Sequence, residues 1–118
     1  MKKIGFTKAV ATGNDFIIVD NRDSLQKELS ALAKKLCDRK RSVGADGLLV
    51  IEKSKKADFK MRIFNSDGSE AEMCGNGSRC VALYASSKGL AGSKMEIDTI
   101  AGVLKAQVSG NRVKVMLT

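Results

Sequence analysis

The chain contains no histidine, no proline and no tryptophan, and only one tyrosine, four phenylalanines and three cysteines in 118 residues. The absence of histidine removes the commonest general base and the commonest transition-metal ligand together, so acid–base chemistry falls to carboxylate, lysine, tyrosine or thiol. Cys37, Cys74 and Cys80 are odd in number, and their spacings match neither a CxxC pair nor a zinc pattern; reduced thiols are expected rather than disulfides. No apolar run approaches the length that crosses a bilayer, and the opening stretch MKKIGFTKAV turns polar too soon for a secretory leader. A cytoplasmic chain that does not enter a membrane is expected.

What is present is 43% hydrophobic and 29% charged, proportions that let a single domain of this length bury a modest core. The 21 Lys and Arg against 13 Asp and Glu leave a net charge of +8, a field that favours anionic ligands. Nucleic acid is not the expected partner. The basic residues are spread over Lys34-Lys35, Arg39 to Arg41, Lys53 to Lys56 and Lys105 to Lys114, with almost no aromatics between them on which bases could stack. Most of them read as a solvated surface.

Phe16-Ile-Ile-Val-Asp20 is an apolar run bounded by turn residues, and with the alternating Ile4, Phe6 and Lys8 it predicts a pair of opening strands around Gly13-Asn14. Ser24 precedes Leu25, Leu29, Leu32, Ala33 and Leu36, one stripe of an amphipathic helix with Ser24 as N-cap, ending near Cys37-Asp38. Leu48 to Ile51 and Phe59 to Phe64 predict two further strands. A second helix holds Cys80 to Ala85 and closes at Lys88-Gly89; it is apolar on most faces and is expected at the centre, with sheet around it. Met95 to Ile100, Gly102 to Val108 and Val113 to Leu117 complete one domain of many strands and two helices.

Chemistry concentrates in Asn65-Ser-Asp-Gly-Ser-Glu-Ala-Glu-Met-Cys-Gly-Asn-Gly-Ser-Arg-Cys80. The glycines around Cys74 permit a tight turn into a helix whose first N–H groups are free, an arrangement that binds anions and would stabilise a thiolate. The plainer reading of Cys74 is a small buried residue at a helix start. Asn14, Asn65 and Asn76 lie in turns or beside glycines, where asparagine is expected for backbone reasons alone; convergence near one helix terminus would make them readers of an amino acid's ammonium and carboxylate. Cys37 and Cys80 read as core or helix-end residues, and Arg79 reads as a partner in an ordinary surface ion pair. Gly44-Ala-Asp-Gly47 lacks the glycines and the Lys-Ser/Thr of a P-loop.

These residues resemble the diaminopimelate epimerases, cofactor-independent epimerases of the lysine and cell-wall pathway. The resemblance runs along the whole chain through Gly13-Asn-Asp-Phe16, Cys37-Asp-Arg39, Val43-Gly-Ala-Asp-Gly47, the block from Met61 to Gly77, and Thr99-Ile-Ala-Gly102, with the long block the most specific. It implies an α+β fold, a curved, mixed, barrel-like β-sheet wrapped around a central α-helix. The family has two such domains with substrate in the cleft between them, and residues 1–118 correspond to the N-terminal one. The implied reaction is epimerisation of LL- to meso-diaminopimelate by two cysteines, one thiolate taking the α-proton and the other thiol returning one to the opposite face. By position, Cys74 matches one catalytic cysteine, Asn14 and Asn65 match substrate-binding amides, and Gly75 and Asn76 match donors to the α-carboxylate. No cofactor and no metal are implied.

Two departures accompany the match. Histidines that the family often carries before the Gly-Asn-Asp-Phe motif and after Cys-Asp-Arg are replaced by the stretches 8–13 and 40–42. The family's chains are also more than twice as long, so the second thiol is expected from a C-terminal domain or from a second copy in a homodimer. The rival readings are another racemase or isomerase of the same fold, acting on proline, hydroxyproline or a phenazine precursor, and a non-catalytic folding or dimerisation module.

Overall fold

A computed structural model describes residues 4–11 and 13–117; residues 1–3, which open the stretch read above as too polar for a leader, and residues 12 and 118 lie outside the described residues. The strands are β1 (Thr7–Ala11), β2 (Asn14–Asp20), β3 (Gly47–Glu52), β4 (Phe59–Asn65), β5 (Glu70–Ala71), β6 (Lys94–Thr99), β7 (Gly102–Ser109) and β8 (Arg112–Leu117), and the helices are α1 (Leu29–Cys37) and α2 (Gly75–Ser87). All eight strands join one mixed sheet in the order β1-β2-β3-β4-β6-β7-β8, with the two-residue β5 added to β4.

Two of the pairings, β2 with β3 and β4 with β6, are parallel, and each helix lies in the crossover joining one of them. Both crossovers move the same way across the sheet, but β3 and β4 are antiparallel, so the second pair points opposite to the first. Right-handed crossovers, nearly universal because of strand twist, then place the two helices on opposite faces. The packing has that form. Phe16, Ile18, Leu49, Ile51, Met61 and Ile63 point to α2, while the alternate residues Ile17, Val19, Leu48, Val50 and Phe64 point to α1. Strands buried on both sides read as continuous apolar runs, the pattern of β2 and β3.

On α1 the buried residues Leu29, Leu32, Ala33, Leu36 and Cys37 form a single stripe, and Lys34 and Lys35 in its last turn meet the negative end of the helix dipole. The buried face of α2 carries Gly77, Ser78, Cys80, Val81, Ala82 and Ala85, small residues that let the helix settle into the hollow of the sheet. Each larger side chain buried in these layers contributes roughly 1.5–3 kcal/mol. The sheet curls without closing. Between β1 and the far end of β7 a cleft of about 430 Å³ remains, lined by Val10, Ile18, Cys80, Leu83, Tyr84 and Val108 among others. No helix among the described residues is long and apolar enough to cross a membrane.

The expected start of α1 needs correction. Ser24 is not its N-cap: it has a left-handed backbone, φ 59, and Leu25, the first member of the expected stripe, is 69% exposed. Buried Asn21 captures the segment instead. Its Oδ1 accepts from the Gln26 N–H at 2.9 Å and its Nδ2 donates to the Gln26 carbonyl at 3.0 Å, while Asp23 Oδ1 accepts from the Leu25 N–H. Side chains that satisfy the backbone locally compete with the helical ladder, and here they delay the helix to Leu29.

Candidate active site

After β4 the chain turns at 65–69, adds β5 beside β4, and arrives at Cys74 in extended geometry, φ −148 and ψ 115. Cys74 is the N-cap of α2. Its Sγ accepts from the Gly77 N–H at 3.4 Å, and its carbonyl accepts from both the backbone N–H and the hydroxyl of Ser78, at 2.9 and 2.8 Å. Ser78 is fully buried and held on both counts, which locks the first turn. The N–H groups of Gly75 and Asn76 lie too early in the helix to find an intrahelical acceptor, and no described side chain accepts from them. The sulfur, half-buried, thus sits at a helix terminus with two free donors beside it.

Asn76 and Asn14 meet directly. The Asn76 Nδ2 donates to Asn14 Oδ1 at 2.7 Å, joining the start of α2 to the start of β2. Behind them stands a charged cluster. Asn14 Nδ2 and the Asp15 N–H both donate to Asp46 Oδ2, at 3.3 and 3.0 Å; Arg39 clamps Asp15 through two nitrogens at 3.1 and 2.8 Å and reaches Asp46 Oδ1 at 3.1 Å. Lys8 adds an ion pair to Asp15 at 3.3 Å and a hydrogen bond to the Gly44 carbonyl. The Arg39 guanidinium, with help from the Asp46 N–H and Lys8, holds the Asp15 carboxyl well below the usual carboxylate range, and Arg39 is raised in turn.

Asn65 stands at the same end of the sheet without joining that contact. The pairs Phe16 with Gly47 and Gly47 with Asn65 align the ends of β2, β3 and β4, but the Asn65 amide turns to Ser69, donating to its Oγ at 3.0 Å. Of the five residues singled out, four come together at the start of α2, namely Cys74, Gly75, Asn76 and Asn14, and the fifth lines the same end. Asp15, Arg39 and Asp46 have no role assignable from spacing; the one available signal is that each falls inside a motif of the resemblance.

Cys37 and Cys80 are core residues, as expected. Burial pushes both thiols up, with Asp15 adding to the effect at Cys37 and Cys74 at Cys80. Arg79 departs from expectation. No ion pair or hydrogen bond engages it among the described residues, and its Nη1 lies 3.9 Å from where a Cβ on Gly75 would be. No group of three or more Cys, Asp or Glu side chains is placed to hold a metal among the described residues.

The profile of the diaminopimelate epimerase family matches residues 6–118. The chain is 53% identical over 112 residues to the diaminopimelate epimerase of Carboxydothermus hydrogenoformans, covering 92% of this chain and 41% of that protein. It is 55% identical over 104 residues to that of Caldanaerobacter subterraneus, covering 87% and 37%. It therefore spans about two fifths of the length of these curated relatives. Among solved structures, a probable proline racemase from Agrobacterium radiobacter, with bound carbonate, superposes at TM-score 0.74 over 98% of this chain and 42% of its own, at 16% identity, a likeness of fold. With the profile matched almost from end to end and relatives at about half identity, the chain belongs to the diaminopimelate epimerase family.

Proposed function

We propose that this chain supplies one thiol and half of the substrate site for cofactor-independent epimerisation of LL- to meso-diaminopimelate. The observation that carries the reading is Cys74 Sγ at the N-terminus of α2, accepting from the Gly77 N–H, beside the free N–H groups of Gly75 and Asn76 and the Asn14–Asn76 pair. The thiolate of Cys74 takes the α-proton, leaving the electron pair on the α-carbon, conjugated with the carboxylate. The two N–H groups and the positive end of the helix dipole hold that carboxylate and the charge developing on it. One thiol reaches one face of the carbon only. Inversion needs an acid on the opposite face, supplied by a further domain or by a second copy of this chain.

The curated relatives at about half identity carry the name diaminopimelate epimerase, which favours this reading over a proline, hydroxyproline or phenazine-pathway isomerase of the same architecture. The test is incubation with diaminopimelate in heavy water, with the rate of Cys74 alkylation followed in parallel. Deuterium at the α-carbon, lost in Cys74→Ala, together with slower alkylation when diaminopimelate is present, is the expected outcome. No uptake, and no protection of the thiol, would refute the reading.

A further inference from the structure

Asp46 accepts hydrogen bonds on both carboxylate oxygens: Oδ1 from Arg39, Oδ2 from the Asp15 N–H and from Asn14 Nδ2. An ionised carboxylate can only accept. The group that Asn14 turns toward it must therefore be the NH₂, which leaves Oδ1 of Asn14 facing Asn76. Asn76 in turn must face Asn14 with its NH₂, the 2.7 Å bond described above. Each amide in the line thus has its direction dictated by the one behind it, and the line begins at a carboxylate pinned by a guanidinium.

We propose that Asp46 is a positioning residue that sets the polarity of this two-amide relay, so that the Asn76 side chain offers its carbonyl oxygen to a substrate. On the epimerase reading, on which this last step rests, the oxygen takes the ammonium of the amino acid, while the carboxylate goes to the backbone N–H groups at the start of α2. A free asparagine turns either end outward and discriminates little between the two. The relay removes that freedom before substrate arrives, and it fixes which way round the substrate lies over Cys74.

The test reads the Asn76 side-chain NH₂ protons in ¹H–¹⁵N spectra, a signal that needs no catalysis. In the native chain these protons are expected shifted by the bond to Asn14 and slow to exchange with water. Asp46→Ala removes the acceptor, lets Asn14 turn, and should speed their exchange by about tenfold, the loss of one ordinary hydrogen bond. If Asp46→Ala does not fold, Asn14→Ala is read in the same way. Unchanged Asn76 protons in whichever of these two folds would overturn the relay. Diaminopimelate titrated into the native chain separates the two proposals. Asn76 protons that respond to Asp46→Ala in a chain that does not bind diaminopimelate sink the epimerase reading alone, and bound diaminopimelate with Asn76 protons indifferent to Asp46→Ala sinks the relay alone.

Discussion

Gly77 faces Leu49 so closely that a methyl group added to it would stand 3.0 Å from Leu49 Cδ2. The glycine is what lets α2 begin directly over β3 with Cys74 at its head.

Gly77→Ala accordingly sets two effects against each other. Alanine is the better helix former by up to about 1 kcal/mol, less at a first turn, whereas overpacking a filled core costs about 1–3 kcal/mol. Leu49 is fully buried and has little room to retreat, so overpacking should win. Urea unfolding should show a net loss of about 1 kcal/mol, and an unchanged or raised midpoint would refute the argument.

The three thiols should separate cleanly by reactivity. Cys37 and Cys80 are 3% and 5% exposed, and burial disfavours their thiolates, while Cys74 is half-buried at the rim. Iodoacetamide followed by peptide mass mapping should label Cys74 alone in the folded chain and all three cysteines in denaturant. Equal labelling of Cys80 without denaturant would contradict this placement.

Acid should weaken the fold through Asp15. Its carboxyl is held below the usual range when folded, chiefly by Arg39, so the unfolded chain takes up that proton first as pH falls. The stabilisation is whole above the unfolded value of about 3.9 and drains away as pH drops below it toward the folded value. Melting temperatures followed from neutral pH down to about pH 2 should fall more steeply for the native chain than for Asp15→Asn, which should also start lower. Parallel profiles would remove Asp15 from the account.

Asn21→Ala tests the loop ahead of α1. The substitution leaves the Gln26 N–H and carbonyl without their buried partner, a cost of about 1–3 kcal/mol. Backbone amide exchange should rise across residues 21–28 while the buried strands stay protected. A stability change within a few tenths of a kcal/mol would show that the loop holds without Asn21.

Where apolar period and turn residues agreed, the sequence was a good guide. The runs at 16–19 and 48–51 are strands because both of their faces are covered, and in β4 the alternation leaves Lys60 and Arg62 half-buried between buried Phe59, Met61 and Ile63. Ser24 misled because its stripe was in phase with α1 while a polar residue three positions earlier had already taken the backbone. The strand β5 has two residues and no period to detect. The helix terminus around Cys74 was legible from its glycines, since the requirement is local. The bond from Asn76 to Asn14, and the Asp46 and Arg39 behind it, depend on parallel pairing between distant strands, and no spacing within one segment encodes that.

Asn14 and Asn76 lie 62 positions apart in the chain, Asn14 and Asp46 32 apart, and Asp15 and Arg39 24 apart. Contacts of such separation form late, after the entropy of closing long loops has been met, and they make folding slow. A nascent chain holding only its hairpins and a nascent helix carries the Cys74 thiol and the N–H groups beside it, but not the contacts from Asn14 and Asp46 that fix the Asn76 side chain. The side-chain surroundings of the sulfur are therefore a reporter of completed folding, since Asn14 and Asp46 reach it only through the pairing of distant strands.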